Sequence, residues 1–143
     1  MPSLGHITAL ILAGGFGTRV KDLLNGLPKP MAPVNGKPFI EWIVRWLKAQ
    51  NIRDVIISTG YRAEVLAEYF KALPVPEMNV QCVTEPEPMG TGGGLAFAAN
   101  ACETQPDAWL VLNGDSLIFT NIKSVISALN DGEGVMVTRP VAD

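Results

Sequence analysis

An uncharged run rich in branched side chains, Ile7-Thr8-Ala9-Leu10-Ile11-Leu12-Ala13, leads directly into Gly14-Gly15-Phe16-Gly17. So apolar a run calls for burial on both faces, the setting of an inner strand of a parallel sheet. It is far shorter than the roughly 20 residues that span a bilayer, and it lacks the basic flank of a secretory leader. The glycines that follow let the backbone turn tightly and leave its N–H groups open to an anion. A buried strand emptying into a glycine loop predicts an α/β fold. It also predicts where a ligand binds, because open α/β sheets hold ligands at the carboxyl ends of their strands.

The rest of the chain alternates in the same sense. Phe39, Ile40, Ile43, Val44, Trp46 and Leu47 repeat at helical spacing, with Pro38 suited to a first turn. Asp54-Val55-Ile56-Ile57-Ser58 reads as a strand and residues 64–73 as a helix, with Pro74 just beyond it. Val80-Gln81-Cys82-Val83 is a third strand, residues 95–102 a helix opening from glycines, and Trp109-Leu110-Val111-Leu112 a fourth strand. A helix over 122–129 and a strand over 134–137 complete the order β-α-β-α-β-α-β-α-β. The prediction is an α/β, Rossmann-like sandwich with a mostly parallel sheet and right-handed crossovers. The last strand reaches the end of the chain with nothing to cover it, so an interrupted fold is expected.

Composition narrows the classes. At 143 residues, 48% hydrophobic and 17% charged, the chain is expected to be one ordered domain or part of one. A net charge of −3 argues against nucleic acid as a partner, since phosphate backbones demand a surplus of Lys and Arg. A small phosphorylated ligand needs only a few local cations. No membrane partner is expected; a homo-oligomer is compatible with the sequence. Cys82 and Cys102 have neither disulfide-scaffold nor metal-site spacing and read as reduced core thiols, which implies a cytoplasmic protein. Trp42, Trp46 and Trp109 read as core. His6, the lone histidine, has no triad partner, so nucleophilic hydrolase chemistry is unsupported.

Three loops fall at the predicted carboxyl edge: 14–19, 85–94 and the turn at Asp115. Arg19 follows the glycines and can offer a forked cation to phosphate. The loop has Val20 where a dinucleotide fingerprint has its third glycine, and it lacks the Gly-Lys-Ser/Thr ending of a P-loop. Lys29 sits in Leu27-Pro28-Lys29-Pro30, where two prolines stiffen the backbone and aim one cation. Asp115 ends Leu112-Asn113-Gly114-Asp115, as either a turn or cap residue or a metal ligand.

Leu12-Ala13-Gly14-Gly15-Phe16-Gly17-Thr18-Arg19 followed by Leu27-Pro28-Lys29-Pro30 resembles the signature of the sugar-1-phosphate nucleotidyltransferases. The continuation Met31-Ala32-Pro33-Val34-Asn35-Gly36-Lys37-Pro38-Phe39 is similar to the branch of heptose 1-phosphate guanylyltransferases. The resemblance implies a glycosyltransferase-A-like fold. Residues 1–143 would be the nucleotide-binding portion of a single domain whose sugar-binding part is absent. It also implies the reaction: a nucleoside triphosphate, GTP foremost, is joined to a sugar 1-phosphate with release of pyrophosphate.

On that basis Arg19 and Lys29 are the expected catalytic cations. Leu12, Ala13, Gly14, Gly15, Gly17, Thr18, Glu85, Gly90 and Thr91 are the expected nucleotide contacts, and Asp115 the expected Mg²⁺ ligand. Gly92, Gly93 and Gly94 would permit close approach of nucleotide at a helix N-terminus. Glu85 falls where the family reads the base. A carboxylate suits the two donors of guanine, whereas uracil and thymine suit an amide better. The family's second metal-binding Asp and its sugar-contacting Glu-Lys segment lie further downstream, so little or no catalysis is expected of these residues alone. Two other readings stay open: a uridylyltransferase for an amino-sugar or glucose 1-phosphate, and a nucleotide-binding paralogue without chemistry.

Overall fold

The computed structural model describes residues 7–129 and 134–142. In chain order the elements are β1 (Ile7–Ala13), a 3-10 turn (Lys29–Met31), β2 (Pro33–Val34), β3 (Lys37–Pro38) and α1 (Phe39–Ala49). There follow β4 (Asp54–Thr59), α2 (Ala63–Ala72), β5 (Asn79–Thr84), α3 (Gly90–Asn100), β6 (Ala108–Asn113) and α4 (Ile122–Ser127). The four long strands pair in parallel in the order β5-β4-β1-β6, as expected for an α/β sandwich.

β1 is central, hydrogen-bonded to β4 on one side and β6 on the other. Ile7, Ala9, Ile11 and Ala13 bury into the larger core. That core is closed by Ile40, Ile43, Val44 and Leu47 of α1 and by Leu66 and Phe70 of α2. The α1 set repeats at the spacing of a single helical stripe. Each such side chain contributes about 1.5–3 kcal/mol on full burial. Leu10 and Ile56 point to the other face, where they meet Ala98 of α3. The sheet thus lies between two helical layers.

Within the first layer, Glu41 of α1 is only 2% exposed. Its carboxylate accepts from Arg45 at 2.7 Å and from the Tyr69 hydroxyl of α2, and it pairs with Lys37 at 3.2 Å. Burial alone would raise its pKa. The hydrogen bonds from Tyr69, Arg45 and Lys37 outweigh that and hold it below its ordinary 4.5.

Two expectations require correction, and one element goes unassigned. The 134–137 segment is irregular and exposed, not a strand, because among the described residues no strand supplies the ladder its N–H and C=O groups would need. α3 begins at Gly90, not at residue 95, so its first turns are built from glycines. Helix propensity disfavours this, and tertiary contacts override it. The 33–38 segment, unassigned from sequence, is a tight hairpin. Asn35 and Gly36 at its tip both have positive φ (47° and 79°), the geometry that Asn-Gly turns supply.

The expected positions of Trp46, Trp109 and both cysteines hold. The two tryptophans pack against the two cores, and both cysteines are unpaired. Burial pushes the Cys82 thiol up to about 11, so it is inert at neutral pH. Trp42 instead donates from Nε1 to the Val34 carbonyl at 2.8 Å and holds the hairpin on α1. His6 lies outside the described residues.

Candidate active site

From β1 the chain proceeds to β4 and β5 on one side of it, and then returns to β6 on the other. The carboxyl ends of β1 and β6 therefore flank a topological switch point, where open α/β sheets leave a crevice. A cleft of about 490 Å³ lies at this edge. Leu12, Ala13, Gly14, Gly15 and Gly17 line it from β1 and its loop, Lys29 from the 3-10 turn, and Asp115 from the end of β6. Glu85, Gly90 and Thr91 complete the opposite wall. Phe16, Pro30, Pro88, Met89, Asn113 and Gly114 also line it, and the sequence had not marked these as site residues.

The proline bracket works as the sequence suggested. Pro28 and Pro30 are both buried, the Met31 N–H donates to the Pro28 carbonyl at 2.8 Å, and Lys29 alone projects outward. Gly17 adopts φ +58°, and a Cβ there would stand 3.0 Å from that of Lys29, so the glycine loop runs directly against the lysine. The Lys29 ammonium donates to Asp115 Oδ2 at 2.6 Å. This bond, together with that from Ser116, outweighs desolvation and keeps the Asp115 carboxyl below its usual range.

Arg19 and Thr18 are exposed on the loop beyond Gly17 and do not line the cleft. The structure thus unites Lys29 and Asp115 but leaves Arg19 beside them. The loop that bears Arg19 is held from below by two residues after β4. The Phe16 and Tyr61 rings are tilted at 6.1 Å, Lys21 Nζ lies 5.0 Å over the Tyr61 ring, and Arg62 donates to the Gly26 carbonyl at 2.9 Å. Arg62 has φ +51°, an uncommon backbone state for a residue with a side chain. The partners of Tyr61 and Arg62 lie about 35–45 residues earlier in the chain, which is why sequence reading missed this clasp.

Glu85 follows β5, and its N–H extends the ladder to the Thr59 carbonyl at 2.8 Å. Its carboxylate accepts from Ser58 Oγ at 2.8 Å and from the Met89 N–H at 3.2 Å. The flanking glycines serve this carboxylate. A Cβ on Gly14 or Gly94 would fall 2.5 or 2.6 Å from Glu85 Oε1. Gly94 is buried behind Glu85, and Gly92 and Gly93 do not line the cleft; of the first turns of α3 only Gly90 and Thr91 line it.

Among the described residues, Asp115 is the one carboxylate paired with the lysine. Its Oδ1 accepts from Ser116 at 3.1 Å, and the residue lines the cleft. Among the described residues no three His, Cys, Asp or Glu side chains could together hold a metal. A single exposed carboxylate suits a cation that takes its remaining ligands from water and substrate phosphates, which is the habit of Mg²⁺.

Among the described residues no helix is long and apolar enough to cross a membrane. The nucleotidyl transferase family model matches residues 8–142. A D-glycero-alpha-D-manno-heptose 1-phosphate guanylyltransferase of Campylobacter jejuni is 36% identical over 135 residues, covering 94% of this chain and 58% of that one. The same-named protein of Aneurinibacillus thermoaerophilus is 37% identical over 117 residues, covering 82% and 50%. The crystal structure of HddC from Yersinia pseudotuberculosis complexed with GMP-PN superposes with a TM-score of 0.71 at 35% identity, covering 87% of this chain and 54% of that one. The chain spans about half the length of the curated relatives it matches. Matched by the family model almost end to end, and by relatives above a third identity, this chain belongs to the nucleotidyl transferase family.

Proposed function

We propose that the chain is the nucleotide-binding portion of a cytoplasmic enzyme that transfers a nucleotidyl group from GTP to a sugar 1-phosphate of manno configuration, a heptose foremost. The observation that carries this is the meeting of Lys29 and Asp115 at 2.6 Å over a glycine loop at the switch point. In the reaction, a sugar-phosphate oxygen attacks the α-phosphorus, the bond to the β-phosphate breaks, and pyrophosphate leaves. No covalent enzyme intermediate is required, so catalysis is positioning and charge neutralisation.

Lys29 has the reach and rigidity to stand between the α-phosphate and the incoming sugar phosphate, reducing the repulsion between two anions. The backbone N–H groups of Gly14, Gly15 and Gly17 cradle the triphosphate. Arg19 meets the departing pyrophosphate through movement of the exposed loop that carries it. Asp115 would hold Mg²⁺, whose contribution when bound is to neutralise phosphate charge. Glu85 accepts from the guanine edge, with Gly90 and Thr91 beside it. The printed activities of the relatives support the choice of GTP and heptose.

The test is pyrophosphate release by the full-length protein with each nucleoside triphosphate and a panel of sugar 1-phosphates, with and without chelator. Turnover with GTP and manno-heptose 1-phosphate that vanishes on chelation and returns with Mg²⁺ is expected. Preference for UTP with glucose 1-phosphate overturns the base and sugar assignment. Binding of GTP without turnover under any combination overturns the enzymatic reading.

A further inference from the structure

We infer that Ser58 is a positioning residue that orients the Glu85 carboxylate and thereby sets how strongly the site distinguishes guanine from a base lacking its 2-amino group. The inference rests on the reading of Glu85 as the group that meets the base.

Ser58 is fully buried near the end of β4, in a strand whose preceding residues are Val55, Ile56 and Ile57. A hydroxyl so placed must find a partner. Two acceptors are in reach, Glu85 Oε1 at 2.8 Å and the Gly94 carbonyl at 3.4 Å. The single hydroxyl proton belongs to the shorter bond. Ser58 and Glu85 project from the α3 side of the sheet on neighbouring strands, Ser58 being in register with Val83.

The carboxylate is fixed at both ends. Oε1 is wedged between the bare backbones of Gly14 and Gly94 and held by Ser58, and Oε2 accepts from the Met89 N–H. The terminal torsion of a glutamate is otherwise broad. A carboxylate offers about four lone-pair positions, so two remain after the serine and the amide have taken theirs. Guanine presents two donors side by side, N1–H and the 2-amino group. A carboxylate held at one angle can accept both. One free to turn can still accept N1–H alone, and hypoxanthine offers only that. Loss of the Ser58 bond should therefore cost more with guanine than with hypoxanthine.

The experiment is equilibrium binding of GTP and ITP to the full-length protein and to its Ser58→Ala, Ser58→Cys and Glu85→Ala variants, with a melting temperature for each. The wild-type chain is expected to prefer GTP and Glu85→Ala to lose that preference. Ser58→Ala should reduce it by about 3- to 10-fold, the worth of one hydrogen bond, and Ser58→Cys should fall between. If Ser58→Ala does not fold, the Cys variant, which keeps a weak donor of similar size, decides by the same ratio. A serine variant that melts lower but keeps the wild-type GTP/ITP ratio overturns the inference while Glu85 stands. A wild-type chain without preference, or a Glu85→Ala variant that retains it, overturns the base-reading assignment itself.

Discussion

The ammonium of Lys29 and the carboxylate of Asp115 stand 2.6 Å apart across 86 positions of sequence. Both side chains are about two-fifths exposed, at 44% and 39%, so as a surface ion pair they contribute at most about 1 kcal/mol to stability. The pairing therefore matters for what it brings to the cleft. Lys29→Ala and Asp115→Ala are each expected to leave the melting temperature of the full-length protein nearly unchanged. Each should lower pyrophosphate release by about 100-fold or more. Parallel thermal melts and turnover assays check this. A variant with near-normal turnover removes its residue from the chemistry.

Gly60 is a steric contact, not a hinge. A Cβ there would lie 2.7 Å from the carbonyl oxygen of Gly14, a backbone atom that cannot rotate away. Gly60→Ala is expected to cost about 1–3 kcal/mol by overpacking and to weaken nucleotide binding in the same variant. Calorimetric unfolding and GTP titration measure the two effects. Retained affinity in a destabilised variant would separate Gly60 from the loop.

The carboxylate of Glu41 predicts an acid limit. Its folded pKa lies below its ordinary 4.5, so the unfolded chain binds the proton more readily. Its stabilisation is complete above pH 4.5 and is lost as pH falls below that, through the folded value. Glu41→Gln is expected to flatten this part of the stability curve and to destabilise the chain by about 2 kcal/mol at neutral pH, since Lys37 and Arg45 lose their shared partner. Urea unfolding from pH 3 to 7 reads both effects.

Tyr61 is expected to hold the loop that carries Arg19, since its ring meets both Phe16 and Lys21. Removing its ring takes away the Phe16 contact and the Lys21 cation–π contact together, each worth about 0.5–1 kcal/mol. Trypsin cleavage after Arg19 and Lys21 should accelerate several-fold in Tyr61→Ala and stay near wild type in Tyr61→Phe, with little change in global melting. Equal cleavage rates in all three chains would show that the ring does not hold the loop.

Much of this was readable from residues alone because the signals were local. β1, α1, β4, α2, β5 and β6 follow from apolar runs and helical spacing, and Lys29 was singled out by its two prolines. What was hidden depended on contacts between distant segments. The glycines at 90, 92, 93 and 94 were read as a loop because propensity disfavours them in a helix, yet the N-terminus of α3 is held by Glu85 through the Met89 N–H. Ser58 reads only as the end of a strand, since nothing nearby in sequence shows that Glu85 will face it. The motif points Arg19 at the phosphate, whereas the structure leaves it exposed outside the cleft, on a loop whose neighbours Phe16, Lys21 and Gly26 contact Tyr61 and Arg62. The hairpin at Asn35-Gly36, which pairs Val34 with Lys37, goes unassigned in the sequence reading although Asn-Gly is a local turn signal.

The placement of β6 beside β1 carries a consequence for how the site comes into being. Leu12 pairs with Asn113 at the cleft, so one wall of it is synthesised about a hundred residues before the other. β1, β4 and β5, with α1 and α2, can condense while Asp115 is still awaiting translation, because their pairings close shorter loops. On the proposed reading, competence to hold a polyphosphate is expected late in folding, when the longest-range pairing in the sheet is made. A nucleotide in solution should favour that final docking by mass action.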